Sequence, residues 1–561
     1  MIMQITQCLP PATFVPFQAR RLANPQMLWT NSTLPQTVDL AGHAYCVPLA
    51  DEPEDAYQEA SSIYWAERYG GDGLAGNGGG ARCGLSGDVQ IKGIGPTPVA
   101  GAKTEFWYAH GAASLEEGIR EALWGEVCQI ALPHGSARIH GLVATDTECL
   151  YNAHCGAQTA RRTLIVRTPS VRPAHFMRAI YFWPHPAHFA EQPSDTERTR
   201  LAIQSMDGTF SRLFDLGDES PIVRINHGLL EMVRRFARQI GAARAKRIMH
   251  GALNCSNICV DGSWLDYGTI STVSDHGRII VAAHNPDQWT QHSPLIRTCS
   301  ELHFYLGKFL PKMMSMQLVE LRVLLETFDR ALAESLAREY VKLLGVPDGK
   351  IDHIDKALLE RMYRCLHAIV ACGNGEPFKL APQHVPDMPD RMGAYSLSEI
   401  IRTACWCRDV GNMQTRLRPL LQDDVLRAAF CENFDLLRTH VINMYALAER
   451  PYARLFMTLD AMRLNTRFEE LYRPELDRSI QEVIRGERPL GDHLDSIIKK
   501  ARRILSDASG KLPSERFTSI YGERHEAVSA AEGHGQSDRW RVLLQELSTD
   551  ASATEEWEHY A

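Results

Sequence analysis

Residues 69–92 read YGGDGLAGNGGGARCGLSGDVQIK, and the rest of the chain is read outward from them. A run this dense in glycine is either a flexible loop or backbone that must come close to a ligand. It leads into VQIKGI, residues 89–94, which reads as a short strand carrying Lys92. After it, SLEEGIREALWGEVCQI from Ser114 places Leu115, Ile119, Leu123, Val127 and Ile130 at helical spacing and predicts an amphipathic helix. Ser114 with Glu117 gives that helix a capping-box signature. ARIHGLVAT at 137–145 and RTLIVRT at 162–168 read as two further strands. A long helix is expected from about Glu219 to Met249, with Ile225, Leu229, Val233, Phe236 and Ile240 on one face. It runs into HGALNCSNICVDGSWLDYG, residues 250–268, a loop with a small hairpin turning at Asp261-Gly262. Beyond residue 300 the pattern is almost all helix, interrupted by a Gly/Pro-rich break at 372–393. The last fifty residues are polar and expected to be partly mobile.

The bulk properties narrow the class. A chain of 561 residues suggests roughly two to four structural units. No stretch approaches the ~18 consecutive apolar residues of a membrane helix, so no membrane span is expected. The opening MIMQITQCLPPATF lacks a basic segment followed by an apolar run, which argues against a secretory signal. A net charge of -8 gives no reason to expect a nucleic-acid partner, and the basic face of the long helix reads as a solvent face. The 14 cysteines show no zinc-site or disulfide framework; reduced, mostly buried thiols in a cytoplasmic protein are expected.

The chemistry-bearing residues fall in a telling order: Gly-rich loop, strand with lysine, helix with glutamates, strands, long helix, and a loop holding Asn and Asp. A protein-kinase-like fold builds its nucleotide site in that order. Lys92 could reach nucleotide phosphates while loop amides approach their oxygens. Glu121 and Glu126 lie on the next helix, and one of them must face the strand if the lysine is to be held. Asn257 and Asp266 flank the hairpin turn, which would fold both side chains to one spot; a carboxylate and an amide oxygen make a sensible Mg²⁺ site. Arg167 and Arg172 end a strand and can give forked hydrogen bonds to phosphate. The expected fold class is therefore α+β, a protein-kinase-like bilobal fold with an extended helical C-terminal region. Its parts are an N-terminal segment at 1–20, an N-lobe at 21–180, a C-lobe with the metal-binding loop at 181–345, a helical extension at 346–505 and a tail at 506–561.

Taken together these stretches resemble the SelO (YdiU) family of pseudokinase-like protein adenylyltransferases, in order over roughly residues 20 to 310. NPQMLWTN at 24–31 resembles the family's NARLIWHN. IKGIGPTP at 91–98 is similar to its LKGxGxTPYSR, and GIREALWGEV at 118–127 to its TIRExLxSEA. LVATDTECLY resembles its IVTSDxxVYRE, HGALNCSNICVDGSWLDYG its HGVMNTDNMSLLGLTLDYG, and SDHGR at 274–278 its SDHxGRY. In that family ATP is held flipped relative to protein kinases, and AMP passes to protein hydroxyls. The resemblance implies ATP as substrate and Mg²⁺ (or Mn²⁺) as cofactor. It makes Lys92 the phosphate-holding lysine, Glu121 its partner, and Asn257 and Asp266 the metal ligands. Arg167 and Arg172 match the family's phosphate-binding arginines at a spacing two residues shorter, and Gly78, Gly80 and Arg82 match its GDGR loop.

Two departures bear on mechanism. The family's catalytic-loop Asp, in NTDN, is Ser256 here, and serine cannot take up a proton at neutral pH without another base beside it. A second GDGR motif becomes His110-Gly111-Ala112-Ala113, so His110 replaces an Asp. Three readings follow. One is AMP transfer to a protein or peptide hydroxyl, with His110 or Asp261 as base. Another is activation of a carboxylate as an acyl-adenylate, as in the microcin-type peptide-maturation branch, where a partner enzyme subunit is a further expectation. The last is an ATP-binding scaffold without catalysis.

Overall fold

The computed structural model describes residues 5–507 except 73–75, 105–108, 154–155, 189–191, 193, 274–275, 277–278, 281–285, 373–377, 380–395 and 448–449. The tail from 508 onward, most of the break at 372–393 and most of SDHGR lie outside the described residues.

The first part of the chain builds an eight-stranded sheet. Its strands are β1 (Phe14–Leu22), β2 (Gln26–Thr30), β3 (Tyr45–Cys46), β4 (Tyr57–Glu67), β5 (Cys83–Ser86), β6 (Val89–Lys92), β7 (Ile139–Ala153) and β8 (Gly156–Arg167). They lie in the order β2-β7-β8-β6-β5-β4-β1-β3, each paired antiparallel with its neighbours. β5 and β6 are joined at Gly87, whose φ of +57° is readily reached by glycine. That hairpin puts Lys92 opposite Cys83 on one side and Ile165 on the other, so the lysine sits inside the sheet. Alternation does the rest. Val89 and Ile91 join the apolar cluster with Tyr64, Val143, Leu164 and Val166, and Gln90 and Lys92 project from the opposite face.

Helix α1 (Leu115–Ala131) packs on β7 and β8. The Ser114 hydroxyl accepts the Glu117 amide at 3.2 Å, so the serine half of the capping signature forms. The glutamate half does not, because the Glu117 carboxylate turns to Lys92 and Arg82. The amphipathic expectation also needs correcting: Arg120, Glu121 and Glu126 are buried together with Ile119, Leu123, Trp124 and Val127. The reason comes from far along the chain, where two late helices cover the side of α1 that local sequence would leave to water.

Among the described residues, the remaining helices of eight or more residues are α2 (Asp195–Gln204), α3 (Met206–Phe214), α4 (Pro221–Ala245), α5 (Ser293–Phe309), α6 (Leu321–Lys342), α7 (Lys356–Cys372), α8 (Leu397–Trp406), α9 (Val410–Leu417), α10 (Asp424–Asn443), α11 (Arg450–Leu464), α12 (Arg473–Ile484) and α13 (Leu490–Leu505). The long helix α4 stops at Ala245 rather than Met249. Arg247 takes a left-handed φ of +57°, and Ile248–Met249 pair antiparallel with Ser271–Thr272. α4 packs closely on α6: a Cβ at Gly241 would lie 2.2 Å from the Ser335 hydroxyl. α12 and α13 return to α1, where the buried Arg120 guanidinium bonds Glu116 at 2.6 Å and also pairs with Asp477.

The architecture is thus a mixed α+β fold with an antiparallel sheet and a large helical part. The twelve cysteines whose side chains are described are buried and none is in a disulfide; burial pushes the Cys255 and Cys299 thiols up to about 12, which keeps them unreactive. No helix among the described residues is long and apolar enough to cross a membrane.

Trp124 is fully buried in the main core, on a helix that packs on both the sheet and the late helices. Trp124→Ala should therefore cost about 3–5 kcal/mol in urea unfolding. A loss below ~1 kcal/mol would mean α1 is not held in this sandwich.

Candidate functional site

Strand β6 delivers the Lys92 ammonium into a ring of carboxylates. Its Nζ lies 2.9 Å from Glu117 Oε1, 3.0 Å from Glu121 Oε1 and 3.2 Å from Asp266 Oδ1. Burial works against the charge, but Asp266, Glu117 and Glu121 outweigh it and raise the lysine pKa. Of the two glutamates weighed from the sequence, the structure brings Glu121 to Lys92. Glu126 faces elsewhere, bonding Asn31 at 2.7 Å and Arg138 at 2.7 Å.

Glu121 also fixes the backbone of the 250–268 loop. Its Oε1 accepts the Tyr267 amide at 3.0 Å and its Oε2 lies 3.4 Å from Arg167. The residue before that amide, Asp266, has φ +64°, a left-handed conformation that costs a non-glycine residue about 1–3 kcal/mol unless its surroundings impose it. The Glu121–Tyr267 bond and the Lys92–Asp266 pair are two such impositions. Burial pushes the Asp266 carboxyl upward, but Lys92, Arg82 and Arg167 prevail and hold it below the usual carboxylate range. The Asp266 side chain is still 46% exposed, so the ring is open on that side.

Of the arginines expected to meet phosphate, Arg82 and Arg167 pair with carboxylates of the ring, and Arg172 lies beyond Arg167. Arg167 is held by Gln90, with Nε donating to Oε1 at 2.6 Å. Arg172 donates to the Tyr69 hydroxyl at 3.1 Å and to the Ser256 carbonyl at 3.0 Å, tying the start of the Gly-rich stretch to the 254–257 loop. Behind it, His175 Nδ1 accepts the Arg172 amide at 2.9 Å while Nε2 lies 3.4 Å from Glu67. Arg82 pairs with Glu117. The Gly-rich stretch contributes less backbone than its composition suggests: the Gly78 amide donates to Val99 and the Gly80 amide to Glu67. Gly111 is a packing residue, since at φ +68° a Cβ there would lie 2.2 Å from the Gly95 carbonyl.

Among the described residues, no carboxylate or imidazole hydrogen-bonds the Ser256 hydroxyl. It donates to the Asn254 side-chain oxygen at 2.7 Å, with the Asn257 oxygen at 3.4 Å. His110 uses Nδ1 to accept the Ala112 amide at 3.1 Å, and burial, then Arg82 and Arg162, lower its pKa. Asp261 accepts from the Ser263 amide at 3.0 Å and hydroxyl at 2.7 Å, closing its own turn at the hairpin tip.

A divalent cation fits the donors present. Asn257 donates its Nδ2 to the Ala252 carbonyl at 2.9 Å, which orients its Oδ1, and Asp266 offers an ionised carboxylate. These are hard oxygen donors of the kind Mg²⁺ takes. Among the described residues no group of three or more His, Cys, Asp and Glu side chains forms a metal cage. A cation here would fill its shell with phosphate oxygens and water, as Mg²⁺ commonly does.

Glu117, Glu67 and His175 were not identified from the sequence. Glu117 had a signal, because a position four residues before Glu121 shares its helix face. Glu67 and His175 had none, since their roles depend on contacts across the sheet.

The depressed Asp266 pKa fixes a pH dependence. A carboxyl held below its unfolded value of ~3.9 favours the folded state at neutral pH, and this contribution fades as pH falls toward the folded value. The stability difference between wild type and Asp266→Asn should shift in the variant's favour between about pH 5 and pH 3 in urea titrations. A difference independent of pH, or moving the other way, would mean that Asp266 is not held ionised by these cations.

No known protein-family model matches the chain. It is similar to three curated relatives named protein nucleotidyltransferase YdiU. That of Aliivibrio salmonicida is 27% identical over 207 residues, 37% of this chain and 38% of the relative. That of Myxococcus xanthus is 28% identical over 203 residues, 36% of each chain. That of Marinomonas sp. is 28% identical over 204 residues, 36% of this chain and 37% of the relative. The match spans little more than a third of the length of these relatives. The motifs of the first 310 residues and these matches agree in likening this part of the chain to the YdiU/SelO proteins.

Proposed function

We propose that the chain has a protein-kinase-like bilobal arrangement, takes ATP with Mg²⁺ (or Mn²⁺) at the Lys92 ring, and transfers AMP to a protein or peptide acceptor. The observation that carries this reading is Lys92 held at once by Glu121 and Asp266, with Arg82 and Arg167 beside the same carboxylates. A buried, pre-oriented set of cations suits a triphosphate, whose transfer chemistry depends mostly on positioning and electrostatics. Lys92 and the arginines would bind and orient phosphate oxygens, Glu121 would keep the ammonium in place, and Asp266 with Asn257 would hold the cation. The cation would neutralise phosphate charge when bound. In the reaction an acceptor oxygen bonds to the α-phosphorus, the α–β bridging P–O bond breaks, and pyrophosphate leaves. The YdiU relatives support this direction by name.

A hydroxyl acceptor must also lose a proton, and here one observation favours a second reading. The Ser256 hydroxyl, His110 Nδ1 and Asp261 Oδ1 are each engaged by neighbouring groups of the chain. A carboxylate acceptor is already ionised at pH 7 and needs no base. Activation of a peptide carboxylate as an acyl-adenylate is therefore the alternative, with cytoplasmic location and a partner enzyme subunit among its expectations.

Incubation with Mg·ATP labelled at the α- or γ-phosphate, comparing wild type with Asp266→Ala, tests both. The chain itself and candidate peptides serve as acceptors, with and without hydroxylamine. An α-label on protein or peptide that survives hydroxylamine and is absent with the variant is the expected result. Hydroxamate with released pyrophosphate would select carboxylate activation. Transfer of the γ-label, or no α-labelled product, would overturn the proposal.

A further inference from the structure

Lys92 has more carboxylate partners than it needs. Glu121, whose side chain is 1% exposed, is fixed by the Tyr267 amide and Arg167 as well as by Lys92. Asp266 is the residue with access to a cation. Glu117 differs from both: its side chain is 25% exposed, and a single oxygen, Oε1, contacts both the Lys92 ammonium and the Arg82 guanidinium. An anionic oxygen shared between an ammonium and a guanidinium is the contact a nucleotide phosphate oxygen would make with the same two cations.

We infer that Glu117 is an internal competitor for phosphate: it occupies Lys92 and Arg82 in the empty site, and a nucleotide binds by displacing it. This rests on the proposed use of the site for ATP. Local charge points the same way. Three cations, Arg82, Lys92 and Arg167, face three carboxylates, Glu117, Glu121 and Asp266, so the ring is balanced before any phosphate arrives. Added phosphates need one carboxylate to withdraw from these cations. Glu121 is tied to backbone and Asp266 is needed for the metal, which leaves Glu117. The Ser114-x-x-Glu117 spacing provides a second resting place, because the carboxylate can swing back toward the Ser114 amide and complete the capping box. The residue thereby sets the threshold at which the site accepts a polyphosphate.

The test is calorimetric titration of the full chain with ATP plus Mg²⁺, and with inorganic pyrophosphate alone, for wild type, Glu117→Gln and Glu121→Gln. Thermal melts confirm that each variant is folded. Glutamine keeps the size and capping ability of glutamate and removes its charge, so Glu117→Gln should bind both probes more tightly, by roughly fivefold, the size of one partly exposed ion pair. Glu121→Gln should bind more weakly. If Glu117 only positioned Lys92, or were a metal ligand, its glutamine variant would bind no better than wild type, and that result overturns the inference while leaving ATP binding intact. Failure of both wild type and Glu117→Gln to bind ATP would overturn the proposed function together with it.

Discussion

The buried ion-pair ring around Lys92 is the constraint on which the site depends. The charge of a lysine side chain that is 6% exposed must be compensated, and here the compensation comes from α1 and from Asp266 in the 250–268 loop. The sheet, α1 and the 250–268 loop are thereby set relative to one another at a single atom. Such a cluster adds little to stability, because desolvation of the charges offsets much of their attraction. Its value is geometric: it brings a lysine, arginines and a carboxylate with an open side to one place.

Helix α1 transmits this constraint to the rest of the molecule. Ser114 caps its first turn, Arg120 joins it to Asp477 on α12, and its last carbonyl, Ala131, accepts from the Lys246 ammonium at 2.7 Å. Lys246 in turn pairs with Asp507, which also pairs with Lys342 at the end of α6. The helical part of the chain therefore braces the helix that carries Glu117 and Glu121. Changes near Asp477 or Asp507 can therefore reach the Lys92 ring without touching it, through a shift of α1.

Much of the near-site order was readable in the sequence because it is local. The Lys92 strand, the Ser114 start of α1, the β7 and β8 segments and the 250–268 hairpin all carry periodic or turn signals. Helical spacing alone does not fix which of Glu121 and Glu126 meets the sheet; the family resemblance selects Glu121, and the structure brings Glu121 to Lys92. The end of α4 was misplaced because the left-handed turn at Arg247 has no local signature. The all-round burial of α1 was invisible because α12 and α13 lie more than 300 residues further along the chain. Glu117 was read as a cap because its spacing from Ser114 is a capping pattern; only the three-dimensional position of Arg82 redirects it.

The most direct measurement is the anomalous-scattering map of crystals grown with Mn²⁺ and an ATP analogue that cannot be cleaved between the α- and β-phosphates. The expected result is a Mn²⁺ peak bonded to Asp266 and to the Asn257 side-chain oxygen, with Lys92 on a phosphate oxygen of the same nucleotide. A nucleotide bound elsewhere, or a metal peak away from both residues, would contradict the assignment of this ring as the nucleotide site.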